Sequence, residues 1–100
     1  MKTLTVLGGG LSSVAGRDWF LIGYGGNEVF VAISDHSTDE IEVKTFTPGQ
    51  QQLGDGPSAT GECVDEIKRF CRILTPSQGL NWDDTAKASG LYWSYKKGGQ

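Results

Sequence analysis

The stretch Ser34–Glu40 (SDHSTDE) brings Asp35, His36, Asp39 and Glu40 together within a few residues. Carboxylate oxygens and an imidazole can hold a divalent cation. The same imidazole could serve as a base for a thiol, with Cys63 as the nucleophile. Both readings lack a second half. His36 is the only histidine, and no second cluster of ligands is spaced to close a metal shell. Cys63 falls on an apolar helical stripe, where a cysteine behaves as a small core residue. The expectation is a solvated turn between strands, with no catalytic residue, no metal and no cofactor.

Charge says more. The formal net charge is −3, but it is unevenly spread. From Glu28 to Glu66 nine carboxylates face a single lysine, Lys44, while residues 67–100 sum to +4. One reading is a soluble acidic surface. The other is a working face that docks on a basic surface of a partner protein, built from Asp35, Asp39, Glu40 and Glu42 with Glu62, Asp65 and Glu66. Direct nucleic-acid binding is disfavoured, because phosphate neutralisation needs clustered Lys and Arg. Only Lys68, Arg69 and Arg72 cluster, among acids on a helix. Large aromatics make good interface anchors, and Tyr92, beside Trp93 and Tyr95, is the one assigned to this surface.

The segment Val6–Gly16 (VLGGGLSSVAG), followed by Asn27–Asp35 (NEVFVAISD), resembles the first βαβ unit of flavin- and nicotinamide-binding proteins. Asp35 would stand where those proteins carry an acidic residue after the second strand. Such a unit needs a helix that starts at the glycines and runs about ten residues along the sheet, with its N-terminus facing the pyrophosphate. Here Gly16 interrupts that helix at a cost of about 1 kcal/mol, and Trp19–Tyr24 prefers a strand. Serine stands where the third glycine belongs. The expectation is therefore a turn at Gly8–Gly10 between a first strand and a hairpin. An anion nest at that turn, with His36 or Cys63 nearby, is the alternative function: a small ligand- or nucleotide-binding domain, or a thiol-dependent enzyme.

The elements follow from periodicity. Residues 2–7 read as a strand. Gly16–Tyr24 (GRDWFLIGY) and Glu28–Ile33 (EVFVAI) flank Gly25-Gly26-Asn27, a strong hairpin signal. Both runs are apolar on both faces, so they belong at the centre of a sheet. Glu40–Phe46 alternates, with Ile41 and Val43 inward, as an edge strand does. Residues 47–61 lack periodicity and read as an exposed, flexible loop. A helix over about 60–74, capped by Thr60 and ended before Pro76, carries Cys63, Ile67, Phe70 and Leu74 on one stripe. Asp65 and Arg69 are spaced to pair on its wet side. A short second helix over about 82–89 is capped by Asn81 and closed by Gly90, and Leu91–Lys96 alternates like a last strand.

These elements define one α+β domain over residues 1–100: an antiparallel sheet of four to five strands, the main helix packed on one face, and the short second helix. The strands carry more apolar surface than one helix covers. The second helix, a homodimer or a partner would bury the remainder. No apolar run reaches bilayer length, and Thr5 with three glycines interrupts any signal-peptide core. Cys63 and Cys71, eight apart on one helix, would lie about 12 Å apart, beyond disulfide reach. Two free thiols fit a reducing compartment, the cytoplasm. Small, acidic, motif-free domains are a common build for inhibitors and adaptors of phages and mobile elements. Some act against host defence by presenting carboxylates in place of nucleic-acid phosphates.

Overall fold

In the computed structural model, residues 2–11, 16–75, 80–81 and 84–98 are described. Four strands form an antiparallel meander: β1 (Leu4–Leu11), β2 (Arg17–Tyr24), β3 (Glu28–Asp35) and β4 (Glu40–Thr45). A two-residue strand, β5 (Leu80–Asn81), adds in parallel to β1, giving the order β4-β3-β2-β1-β5. Helix α1 (Glu62–Cys71) packs on β3 and β4, and helix α2 (Thr85–Gly98) packs on β1 and β2.

The centre of the sheet is where apolar patterning places it. β2 and β3 pair in register from Arg17↔Asp35 to Tyr24↔Glu28 around the Gly25-Gly26-Asn27 turn. Gly25 takes φ 70° there, a conformation glycine reaches without steric cost. Side chains alternate across the pleat, so the two strands supply two cores. Trp19, Leu21, Val29, Val31 and Ile33 meet Ala88 and Tyr92 of α2. Phe20, Ile22, Phe30 and Ala32 meet Ile67 and Cys71 of α1, together with Val43 of β4. The helices thus lie on opposite faces, and both faces of the hairpin are covered.

Several local expectations are corrected. Gly8–Gly10 form no turn. After a bulge at Leu7 they continue β1, pairing with Leu21, Phe20 and Trp19 of β2. Gly10 also pairs with Leu80 of β5, and any Cβ there would collide with the Leu80 carbonyl. The glycines lie inside β1, and the next element, β2, pairs antiparallel with it and separates it from β3, so the βαβ unit does not form. Leu91–Lys96 is helical rather than extended. Thr85, Ala88 and Tyr92 are buried, with Leu91 and Tyr95 half-buried beside them, a spacing of three and four that turns one helix face inward. α2 therefore passes through Gly90, and Asn81 belongs to β5 rather than to a helix cap. Trp82 and Pro76 lie outside the described residues.

The 47–61 segment is not a free loop. Leu53 is fully buried in the α2-side core. Residues 57–59 run along β4, with Thr45 N donating to Pro57 O and Ala59 N to Val43 O, both at 2.9 Å. The helix that follows is capped by Gly61 at φ 98°, without a side-chain cap; Thr60 does not perform that role. Asp65 and Arg69 form no ion pair among the described residues. Among the described residues, no helix is long and apolar enough to cross a membrane.

Candidate functional site

The β3–β4 turn and the sheet end behind it hold most of the chemistry. Asp35 accepts from the backbone N of Ser37 at 3.0 Å and from Ser37 Oγ at 2.7 Å. These bonds, aided by the charge of Arg17 across the strand pair, hold its carboxyl below the usual carboxylate range. Asp39 closes the turn at φ 59°, in the left-handed region that Asp tolerates better than most residues. Its N–H donates to Asp35 O at 2.8 Å.

Register then decides which carboxylates share a face. Asp35 lies opposite Glu40, and Ile33 opposite Glu42. Directly paired residues point the same way, so Asp35, Glu40 and Glu42 share the face that carries α2. With Arg17 they line a shallow groove of about 240 Å³. Lys44 Nζ approaches Glu42 at 3.9 Å but hydrogen-bonds the Gly54 carbonyl at 2.9 Å. Among the described residues, no salt bridge engages Asp39 or Glu40.

The other predicted interface residues lie elsewhere. Glu62, Asp65 and Glu66 ride on α1, on the opposite face of the sheet. Glu66 accepts a hydrogen bond from Tyr24 Oη at 3.3 Å, while Glu62 and Asp65 stay exposed. The carboxylates therefore do not share one face: Asp35, Glu40 and Glu42 lie on the α2 side at the β3–β4 turn, whereas Glu66 lies on the α1 side beside Tyr24, toward the β2–β3 turn. Tyr92 is a correction. It is 7% exposed and packs its ring against Phe46 in the core, because helical rather than extended geometry turns it inward. Trp93, at 53% exposure, is the aromatic that α2 presents outward.

One pair went unforeseen. Asp18, only 6% exposed, accepts or shares a hydrogen bond with His36 Nε2 at 2.7 Å. Backbone pairing helps place the ring, since His36 N donates to Gly16 O at 2.7 Å. A buried carboxylate is costly unless paired, and the imidazole provides that partner. The pair sits at the edge of a cleft of about 190 Å³, with Asp39, Cys71 and Arg72 on its walls. Hairpin register was the available signal: with Asp18 opposite Ser34, His36 is the diagonal neighbour on the same face.

This geometry separates the proposed thiol from its base. Cys63 lies near Lys2, Glu28 and Glu66, at the start of α1. His36 lies by Cys71 and Arg72, at its other end, and eight helical residues span about 12 Å. Burial raises the Cys63 thiol above its ordinary pKa and pushes Cys71 up to about 12. Neither is primed as a thiolate nucleophile. Both cysteines are free. Among the described residues, no three His, Cys, Asp or Glu side chains are grouped to hold a metal ion. Gly8–Gly10 commit their backbone to strand pairing, which removes the anion nest.

Comparison with protein-family models, with curated proteins and with solved structures finds no match to this chain.

Proposed function

We propose that the protein is a non-catalytic binding module whose acidic β3–β4 end docks on a basic surface of a partner protein. The observation that carries this reading is the convergence of Asp35, Glu40 and Glu42 on one groove at the sheet's edge. Asp39 stands in the adjoining turn. Among the described residues, Arg17 is the only cation lining that groove, so an approaching Lys or Arg meets an excess of carboxylate.

Hydrogen bonding keeps Asp35 ionised, and a rigid turn presents its neighbours at low entropic cost. Complementary charge of this kind steers encounter and fixes orientation. An inhibitor or adaptor of phage or mobile-element type would use it to occupy a basic groove. In the anti-defence form, the carboxylates would stand in for nucleic-acid phosphates. Glu62 and Asp65, on α1 and the opposite face, lie apart from this groove, and Tyr92 has no part in it.

The test is a double charge reversal, Asp39→Lys with Glu40→Lys, followed by partner capture from the source cell. A partner held by the parent protein and lost by a correctly folded variant supports the reading. Retention of that partner by the variant removes it.

A further inference from the structure

The three glycines of β1 acquire a second consequence where α2 crosses them. Between α2 and the β1–β5 end of the sheet runs an open groove of about 560 Å³, within the range of about 300–1,000 Å³ typical of small-molecule sites. Its floor is the backbone of Gly8 and Gly9, and its walls are Leu7, Leu80 and Leu91. Among the described residues, the polar side chains that line it are Lys87 and Ser94. A mostly apolar concavity with a few polar groups at its margin is the usual build of a ligand site.

Gly90 is the second observation. It lies inside α2, where glycine costs about 1 kcal/mol relative to alanine. No crowding explains it, because a Cβ at this position would meet no described atom within 4 Å. Any larger side chain there would enter the groove that Gly90 lines. Gly8 is the opposite case: a Cβ would approach Leu91 Cδ1 to 2.9 Å and Leu80 Cδ1 to 3.3 Å, forcing the walls apart. One glycine keeps the walls close and the other keeps the mouth open.

Charge selects the class of occupant. Residues 85–98 carry three lysines and no carboxylate. Lys96 lies over the Trp93 ring, 5.6 Å from its centroid. Lys87 is largely exposed and stands 3.9 Å from Asp84, beyond hydrogen-bond length. Its ammonium therefore has donors to offer at the groove's rim. We infer that the α2–β1 groove binds a small amphiphile, its apolar body lying against Leu7, Leu80 and Leu91 beside Gly90 and its anionic head meeting Lys87. This site is independent of the acidic β3–β4 end, which lies toward the other edge of the sheet.

The test uses the full chain and two probes, 1-anilinonaphthalene-8-sulfonate for fluorescence and decanoate as competitor. The inference expects saturable one-site fluorescence that decanoate displaces and decanol displaces far less. Gly90→Leu should abolish binding, and Lys87→Gln should weaken it about tenfold, the loss of one charged hydrogen bond. Gly90→Ala, which favours the helix, guards against misfolding and should bind less tightly than the parent while gaining stability. Absence of saturable binding would overturn the inference. So would binding that survives Gly90→Leu, that ignores Lys87→Gln, or that falls equally when exposed Ile73 of the α1 side is changed to Ser.

Discussion

The two edges of the sheet expose opposite kinds of surface. The β4 edge carries Glu40 and Glu42, with Asp35 and Asp39 beside them, and residues 57–59 cover only its far half. At the other side β1, covered by β5 only at Gly10 and Leu11, has no ionisable residue between Leu4 and Leu11, and Val6 and Leu11 stay exposed. Charges on an edge strand deter pairing with other chains, so part of the acidity on β4 serves solubility. That need concerns Glu40 and Glu42, on β4 itself. It does not account for a cluster reaching from Asp35 through Glu42, and this surplus is what we assign to recognition.

The sharpest contrast should appear in stability. Removing an anchor beneath α2, as in Tyr92→Ala, should cost about 3–5 kcal/mol by chemical denaturation, as other large-to-small core changes do. Glu40→Lys at the opposite edge should stay within about 0.5 kcal/mol. Comparable losses at both sites would mean that the acidic edge is structural.

The Asp18–His36 pair ranks next. His36→Ala leaves a buried carboxylate without its partner and should cost about 1–2 kcal/mol, less than a fully buried pair because the imidazole is largely exposed. Asp18→Asn in the same background should recover part of that loss. If His36→Ala is silent, water already solvates Asp18 and the turn is not clasped through this contact.

A smaller effect concerns Cys71 and high pH. Its folded pKa of about 12 lies above the ordinary 9.0, so the folded state holds the thiol proton more tightly than the unfolded chain does. The resulting stability is complete below pH 9 and is lost as pH rises toward 12. Cys71→Ala should therefore show a shallower alkaline decline than the parent. Tyr24 and Tyr95, also raised, contribute equally to both proteins and cancel in the difference. Parallel declines would place Cys71 in contact with water.

Much of this layout was legible before any coordinates. Apolar residues on both faces of the 16–33 hairpin implied a central place in the sheet, with the cover of the second face open between the second helix, a homodimer and a partner, and the clean alternation of Glu40–Phe46 implied an edge. The stripe through Cys63, Ile67 and Phe70 implied α1. Two of the readings that failed show why most plainly. Leu91–Tyr95 fits a period of two and a helical period equally well over five residues, and only Ala88 extends the helical one. Gly8–Gly10 read as a turn because glycine is poor in strands, yet the close approach of Leu80 and Leu91 demands residues without side chains. The Asp18–His36 contact joins residues far apart in sequence and depends on strand register, which composition alone does not specify.

The assignment of Asp35, Asp39, Glu40 and Glu42 as the working surface is tested most directly by the salt dependence of partner binding. Affinity measured for the parent and for Asp39→Lys/Glu40→Lys across rising ionic strength should fall steeply for the parent, and the variant should already bind weakly at low salt. Equal affinity for both proteins, unchanged by salt, would contradict the account.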